Sequence, residues 1–318
     1  MALRSSEEIA DHVSRCLELA ILLEVSAYPK PGNVHRTADF TGTRYEHFLA
    51  SAVAVAPHFR IAAEQGIAVS REEISPPDVR IGKVVKNAVQ SVAQWQNGGN
   101  TLLGSILLLS PLVIAAGMTL AKQKISLSRL RENLKLIVES TTPVDAVDVY
   151  EAIALANPSA LGKVPKLDVT NPTSKQRILE EHVTLFDVFK IASDYDSIAS
   201  EWVKNYPITF DLGYPFFAEQ LESTKDINVA TVHTFLEILS KIPDTFIARK
   251  VGLEKAKDVS TRARQVLDKG GLTTRTGTQQ LWNLDKRLRD PTHALSPGTT
   301  ADITQAVLAL ALLEGYRP

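Results

Sequence analysis

The residues best suited to chemistry lie in a loop rich in proline and cationic side chains. From Val25 to Arg36 the chain reads VSAYPKPGNVHR, so Lys30, His35 and Arg36 share one segment with two prolines. Proline fixes φ and lacks an amide donor, which leaves such a segment few conformations. Cations held by a stiff loop are suited to binding an anion, and Glu24 places a carboxylate beside them.

Two further clusters place glycine and small polar residues directly before a predicted helix. They are NGGNT at residues 97–101 and SPGTTAD at residues 296–302. Free backbone amides at a helix N-terminus bind phosphate, but the same residue types also form ordinary caps. Thr299 with Asp302 has the spacing of a capping box, and Thr101 can cap its own helix. Each cluster alone favours capping, whereas both together with the cationic loop indicate an anionic ligand.

A fourth cluster, DTFIARK at residues 244–250, combines a carboxylate with two cations. Its alternative interpretation is structural, because Asp244 can satisfy helix amides and Arg249 can lie on a solvated face. The sequence contains no Walker pattern, Rossmann glycine fingerprint, nucleophile elbow or zinc-binding His-Glu helix. A phosphate site in this chain must therefore be built from loops and helix ends.

Charge and cysteine content exclude several classes of protein. The 318 residues include 35 Lys and Arg against 36 Asp and Glu, so no basic excess favours a nucleic acid partner. The single cysteine, Cys16, excludes an intramolecular disulfide and a multi-cysteine zinc site. One cysteine and no signal-peptide pattern are typical of a reducing compartment, so we expect a cytoplasmic protein.

Helical periodicity dominates the elements that must position these clusters, and it predicts one all-α domain over residues 1–318. A first helix begins at Ser5 or Ser6 and ends before Pro29 and Pro31. Loops are expected at 67–80 and, as the longest irregular stretch, at 157–178. The other predicted helices cover 45–64, 81–96, 101–121, 126–139, 143–156, 184–205, 209–222, 228–241, 243–269, 273–290 and 299–314.

The predicted helix from Thr101 to Ala121 carries no charge and is long enough to span a bilayer. It also contains Ser105, Ser110 and Pro111, and it lacks a basic cluster on one flank. A helix buried on all sides at the centre of a helical domain has the same composition. We therefore expect a central buried helix and no membrane partner.

In this order the clusters resemble the triphosphoribosyl-dephospho-CoA synthase family. The matching segments are EVSAYPKPGNVHR at 24–36, GGNTLLG at 98–104, DTFIARK at 244–250 with the glycine pair 270–271, and LSPGTTADI at 295–303. The resemblance implies an all-α enzyme that displaces adenine from ATP. C1′ of the ATP ribose is then joined to the 2′-hydroxyl of dephospho-CoA, and the triphosphate is retained.

The resemblance also implies roles for individual residues. Positive charge develops on the ribose as adenine leaves, so a nearby carboxylate stabilises it, and Glu24, Asp39 and His35 are the expected catalytic groups. The triphosphate implies Mg²⁺, with Glu24, Asp39 and Asp302 as its expected ligands. The expected nucleotide-binding residues are Lys30, Gly32, Asn33, Arg36, Asn100, Thr101, Asp244, Arg249, Thr299 and Thr300.

The chain departs from the family pattern in ways that leave alternatives open. Leu102 and Leu103 replace a histidine and a lysine, and Asp268 and Lys269 replace a histidine-arginine pair. TADFTGTRYEHF replaces a Gly-Ala-His-acidic motif, so Asp39 is only a partial equivalent. One alternative is a ribosyl transferase with another coenzyme acceptor. Another is a nucleotide-binding helical protein without turnover, and a homodimer is left open in each case.

Overall fold

The computed structural model describes residues 5–158 and 166–318, and its regular structure there is helical, which confirms the predicted all-α class. Within these ranges the only bridge between extended residues joins His35 and Ala38. Fifteen α-helices are described: α1 (Ser6–Ser26), α2 (Tyr45–Ser70), α3 (Ile81–Trp95), α4 (Leu103–Lys122), α5 (Leu127–Glu139), α6 (Pro143–Ala156), α7 (Ser174–Glu180), α8 (Leu185–Ala192), α9 (Ser197–Val203), α10 (Tyr214–Thr224), α11 (Ile227–Lys241), α12 (Thr245–Val251), α13 (Leu253–Asp268), α14 (Arg275–Leu288) and α15 (Gly298–Leu313).

Two long predicted helices are each divided in the structure. The prediction at 184–205 is wrong because Asp196 accepts hydrogen bonds from the amides of Ile198 and Ala199, at 2.8 and 3.2 Å, and so begins α9. The prediction at 243–269 is wrong because Gly252 has a φ of +91°, which ends α12 before α13 begins. The spacing of apolar residues along the chain reveals neither a helix-capping side chain nor a residue with a left-handed backbone conformation.

Three other boundaries also differ from the sequence prediction. Helix α2 continues to Ser70, and a 3₁₀ helix covers Pro76–Val79, so both lie partly within the expected loop at 67–80. The expected irregular stretch at 157–178 contains the start of α7 at Ser174, whereas residues 159–165 lie outside the described residues. A π-helix over Ile208–Gly213 precedes α10.

Helix α4 lies at the centre, as predicted, and all its residues from Ser105 to Thr119 are buried. Its composition is apolar enough to cross a membrane, but 83% of its most apolar window is buried inside the protein. It packs closely against α2, where a Cβ on Gly66 would lie 2.1 Å from the carbonyl oxygen of Ile114. The apolar run is therefore a core helix, covered by its neighbours.

The buried apolar residues form two clusters that meet at α11 and α15. The larger one includes α1, α2, α4 and most of α15, and the smaller one joins α11, α13 and α14. Helix α15 packs against α1, α4, α11 and α12, so its first turn lies where several helix ends come together. That these clusters form one domain over 1–318 stays a prediction.

Candidate active site

A cavity of about 870 Å³ receives side chains from all four sequence clusters. Some come from the end of α1 and the loop that follows it. Others come from helix α12 and from the N-terminal ends of α4 and α15. Residues as far apart in the chain as Glu24 and Gln305, which are separated by 281 positions, therefore line the same cavity. The predicted site residues that line it are Glu24, Lys30, Asn33, Asn100, Thr101, Arg249, Thr299 and Asp302.

A buried ion pair lies on this wall. The Lys30 ammonium donates a hydrogen bond to Oε1 of Glu24, and each residue is only 1% exposed. Gln305 donates to the other Glu24 oxygen at 3.2 Å, whereas its own Oε1 is buried without a hydrogen-bond partner in the described structure. Burial lowers the pKa of Lys30, and the adjacent Glu24 carboxylate opposes that shift. The wall thus carries a fixed cation, a carboxylate and an unsatisfied amide oxygen.

Asp302 brings a second carboxylate to the wall from the first turns of α15. Ser105 of α4 donates to its Oδ1 at 2.5 Å. A Cβ on Gly104 would lie 2.0 Å from its Oδ2, so only glycine allows α4 to approach this closely. Burial raises the pKa of Asp302 to about 8, and the carboxylates of Glu24, Asp244 and Asp196 add to the shift. Additional positive charge in the cavity would be stabilised by this group.

Cations and aromatic rings line another part of the cavity. Lys250 lies 4.2 Å from the ring centre of Phe246 and donates to the carbonyl oxygen of His293 at 3.2 Å. Burial lowers the pKa of Lys250. The rings of Phe40 and His293 are stacked, with centres 4.0 Å apart and an 18° interplanar angle. Arg249 is held by an ion pair with Asp196. Flat rings beside cations can hold a nucleotide base and its phosphates.

The loop that carries Lys30 is anchored to α14 by two residues that sequence reasoning missed. Asp285 accepts a hydrogen bond from the amide of Gly32 at 2.9 Å. Arg289 donates to the carbonyl oxygen of Asn33 at 2.5 Å and pairs with Asp285 at 3.0 Å. The i,i+4 spacing of these two residues indicates a helix ion pair, but no local signal connects them to a loop 250 residues away.

Two asparagines provide further anchors for the same loop. Asn33 donates to the carbonyl oxygen of Pro297 at 3.1 Å, which ties the loop to the start of α15. Asn228 of α11 accepts from the Tyr28 amide at 2.8 Å and donates to its carbonyl oxygen at 2.7 Å. The loop is thus fixed from three helices, and sequence reasoning did not identify Asn228.

His35, Arg36 and Asp39 do not line the cavity, contrary to their predicted roles. His35 is fully buried, its Nε2 lies 3.7 Å from Asp285, and burial lowers its pKa. The Arg36 guanidinium lies 4.1 Å from the centre of the Tyr28 ring. Asp39 accepts from the Tyr45 amide at 2.8 Å, at the start of α2. Their contacts fix the loop and its flank, and in this structure none of the three side chains faces the cavity.

Gly32, Asp244 and Thr300 also lie outside the cavity wall. The Gly32 amide is occupied by Asp285. Asp244 accepts from the amides of Phe246 and Ile247 through Oδ1, at 2.9 and 3.1 Å. Its Oδ2 accepts from both the amide and the hydroxyl of Thr300 at 2.8 Å. Asp244 therefore fastens the start of α12 to the start of α15, the capping alternative considered above.

Of the residues that depart from the family pattern, some line the cavity and others do not. Leu103 lines the cavity, but Leu102 is 1% exposed and belongs to the large apolar cluster, so only one of the two faces the cavity. The glycine pair packs on α11, because a Cβ on Gly271 would lie 2.3 Å from Nε2 of His233. Asp268 and Lys269 do not line the cavity.

The described residues contain no group of three or more histidines, cysteines or carboxylates placed to hold a metal. Both Glu24 oxygens are engaged by Lys30 and Gln305, and Asp39 caps α2. Mg²⁺ carried by a triphosphate needs only one or two protein carboxylates, and the phosphates supply other ligands. Asp302 fits that requirement, because its side chain lines the cavity and is bound by one hydroxyl at Oδ1.

Comparisons with known proteins show the family to which the chain belongs. Residues 10–318 match the model of the CitG family, described as ATP:dephospho-CoA triphosphoribosyl transferase. A 2-(5″-triphosphoribosyl)-3′-dephosphocoenzyme-A synthase from Klebsiella pneumoniae is 24% identical over 92% of this chain and 88% of its own length. A Streptococcus mutans protein assigned the same activity is 24% identical over 93% of this chain and 94% of its own length.

A crystal structure shares the fold. It is that of an Archaeoglobus fulgidus protein assigned to the triphosphoribosyl-dephospho-CoA synthases, with a TM-score of 0.61 and 25% identity. The match covers 85% of this chain and all of the archaeal one. The family match extends over nearly the whole chain and includes every segment that lines the cavity. The chain therefore belongs to the CitG family of ATP:dephospho-CoA triphosphoribosyl transferases.

Proposed function

We propose that this chain transfers the triphosphoribosyl group of ATP to the 2′-hydroxyl of dephospho-CoA within the 870 Å³ cavity. The observation that carries the proposal is the convergence of four separated sequence clusters on that cavity. In the reaction, the bond from C1′ to N9 of adenine breaks and its electrons leave with the base. The bond from C1′ to the acceptor oxygen forms, and the hydroxyl proton is released.

The triphosphate is proposed to lie against Lys30, Lys250 and the hydroxyl of Thr299. All three line the cavity, and Thr299 lies in the first turn of α15, where the helix dipole favours an anion. Arg249 lines the same wall, although Asp196 already neutralises part of its charge. Asn33, Asn100 and Thr101 would contribute hydrogen bonds to ribose or phosphate oxygens.

The two carboxylates on the wall are proposed to act on the sugar. Positive charge grows at C1′ as adenine leaves, and a carboxylate held in a low-dielectric site stabilises that charge. Glu24 is held by hydrogen bonds from Lys30 and Gln305, one to each carboxylate oxygen, so it is oriented before ATP binds. Asp302 is the better placed of the two to contact Mg²⁺. The ion would neutralise phosphate charge, and its ligands would be Asp302 and the triphosphate.

The test is acceptor-dependent release of adenine. Purified protein is incubated with ATP, Mg²⁺ and dephospho-CoA, free adenine is measured by chromatography, and the product by mass spectrometry. The expected product has the mass of ATP plus dephospho-CoA less adenine. Release of adenine without acceptor dependence would contradict the transfer, and no release at all would favour the nucleotide-binding alternative. A cytoplasmic location and a homodimer stay predictions.

Substituting two lysines in turn distinguishes a direct contact with phosphate from a general effect of removing positive charge. Lys250→Ala is expected to raise KM for ATP by roughly tenfold to a hundredfold, because a charge-assisted hydrogen bond contributes about 1.5–3 kcal/mol. Lys255→Ala is the matched control, since Lys255 is an exposed lysine on α13 that does not line the cavity. Equal effects of the two substitutions would remove Lys250 from the phosphate assignment.

A further inference from the structure

A second groove, of about 810 Å³, lies on the surface between α13 and α14 and shares no lining residue with the candidate active site. Its floor is narrow and apolar, formed by the buried Val266 and Leu284. Its rims carry four cations and three amide side chains, and none of the described residues that line it is a carboxylate. The cations are Arg262, Lys269, Lys286 and Arg287, and the amides are Gln265, Gln280 and Asn283.

The two helices that form the groove run antiparallel. After α13 the chain turns back through a 3₁₀ helix at Gly271–Thr273 and enters α14. The Arg262 guanidinium lowers the pKa of Asp258, and Arg287 adds to the shift, so the end of α14 lies beside the middle of α13. The lining stretches 262–269 and 280–287 each cover about two turns, which gives a groove about 10 Å long.

The cations of this groove are largely uncompensated. Arg262 pairs with Asp258 at 3.0 Å, but Lys269, Lys286 and Arg287 form no ion pair with a described carboxylate. A helix dipole stabilises cations in a last turn, which accounts for Lys286 and Arg287 singly. It does not account for four cations around one groove without a carboxylate among them. A ligand that brings negative charge would offset the repulsion between these cations.

We infer that this groove binds an acidic helix of a partner protein. The groove between two packed helices accepts a third helix, whose side chains fill it. The narrow floor fits small apolar side chains along one stripe of that helix. Acidic residues on both flanks of the stripe would then meet the cations of both rims, which gives the interface complementary charge.

Exposure favours a protein partner over a small phosphate anion. Lys269, Lys286 and Arg287 are exposed, so solvent screens each contact that a small ion makes with them. A protein surface covers the groove and excludes water, which strengthens the same contacts. Trp282 lies one turn before Lys286 on α14 and is 39% exposed, so it extends the surface beside that rim. Tryptophan and arginine are the residues that contribute most at protein interfaces.

The test measures binding of a synthetic acidic helix. The probe is a labelled peptide of glutamate and alanine, about 20 residues long so that it can form a helix in water. The ligand control has lysine in place of every glutamate, and fluorescence anisotropy gives both affinities. Wild type is expected to bind the glutamate peptide at least about tenfold more tightly, and added salt should weaken that binding. Equal binding of the two peptides would overturn the inference.

Paired charge reversals locate the binding. Lys269→Glu with Lys286→Glu changes one exposed lysine on each rim, and it should lower affinity for the acidic peptide at least about tenfold. Lys83→Glu with Lys204→Glu is the matched control, because both lysines are exposed and line neither cavity. Equal losses in the two double variants would show an effect of net charge alone and would overturn the inference.

A milder variant guards against misfolding. Lys269→Gln with Lys286→Gln removes the same two charges without introducing carboxylates, and it should lose less affinity than the charge reversal. Circular dichroism confirms that each variant is folded before binding is measured. Wild-type affinity in the folded glutamine and glutamate variants would overturn the inference.

Three measurements test the other occupants. A peptide of the same composition with a central proline should bind several-fold more weakly, and equal affinity would overturn the assignment of a helix. Inorganic tripolyphosphate that displaces the acidic peptide at lower concentration than unlabelled peptide would assign the groove to phosphate instead. A wild-type dimer that dissociates on reversal of Lys269 and Lys286, measured by sedimentation, would identify a second copy of this chain and likewise overturn the inference.

Discussion

The carboxylate of Asp285 accepts a hydrogen bond from the backbone amide of Gly32, 2.9 Å away, although 253 residues separate them in the chain. Arg289, four residues further on and directly after the last residue of α14, pairs with Asp285 and donates to the carbonyl oxygen of Asn33. The backbone that places Lys30 and Asn33 in the cavity is therefore held by an ion pair that does not itself line it.

Removing this anchor should affect activity more than the change in stability explains. Asp285→Ala leaves the Gly32 amide without its acceptor and Arg289 without its carboxylate, although Arg289 keeps the carbonyl oxygen of Asn33. The loss of this largely buried ion pair is expected to cost about 3–5 kcal/mol in the free energy of unfolding. Asp285→Asn keeps an acceptor for the Gly32 amide, so its free energy of unfolding should fall less than that of Asp285→Ala. We expect kcat to fall at least about tenfold in the alanine variant, measured where both proteins are fully folded.

A surface pair with the same spacing provides the control for that experiment. Arg262 and Asp258 on α13 also lie one turn apart, 3.0 Å between charged atoms, but are about a third exposed. Asp258→Ala should cost at most about 1 kcal/mol, because solvent screens exposed pairs. An unchanged kcat in folded Asp285→Ala would show that the loop does not need this anchor.

Gly104 is expected to be required for the position of Asp302. A Cβ there would lie 2.0 Å from Oδ2, so Gly104→Ala must displace the carboxylate or the start of α4. Activity should fall severely while circular dichroism shows a folded helical protein. Ser105→Ala is the comparison, because it removes the hydrogen bond to Oδ1 of Asp302 without adding bulk. Its loss of activity should be smaller than that of Gly104→Ala. A fully active Gly104→Ala would contradict the role of Asp302.

The buried pair of Lys30 and Glu24 offers a way to separate stability from ligand binding. Lys30→Met leaves a buried carboxylate without its cation, so we expect a loss of about 3–5 kcal/mol in the free energy of unfolding. Lys30→Met combined with Glu24→Leu removes both charges and should recover most of that loss. Denaturation curves measure the recovery, and calorimetry should show that ATP affinity does not return. Recovery of ATP affinity in the double variant would assign Lys30 a purely structural role.

Asp302 should make the stability of the ligand-free protein depend on pH. Its pKa is about 8 in the folded protein, whereas the pKa of an unperturbed aspartate is about 4. Between these values the folded protein holds a proton that the unfolded chain releases, so stability falls as the pH rises through that window. Relative to Asp302→Asn, wild type should be more stable at pH 5 than at pH 8.

Urea denaturation of both proteins at several pH values measures this difference. Glu24, Asp244 and Asp196 surround Asp302 and are present in both proteins, so their own titration largely cancels in the comparison. Parallel dependence of stability on pH in the two proteins would show that Asp302 is ionised in the folded state. Saturating ATP and Mg²⁺ should reduce the difference, because a bound cation favours the carboxylate.

Local features decided how well individual helices were predicted. The run from Leu103 to Lys122 was identified because its apolar residues surround the whole helix, which indicates burial whatever the partners are. The breaks at Asp196 and Gly252 were missed because one cap and one left-handed residue do not disturb apolar periodicity. The start of α7 was missed because a helix of seven residues shows too few turns for a period to emerge.

By itself the sequence determined the helical class, the central buried helix and the family, since these depend on periodicity and on motifs that are contiguous in the chain. It also named eight residues that share one cavity wall. Only the tertiary structure decided that His35, Arg36 and Asp39 fix the loop and its flank, and that Asp285 and Arg289 anchor it. The physical reason is that the role of a polar side chain depends on the groups that it contacts. Here many of those groups are distant in the chain, so the sequence does not reveal them.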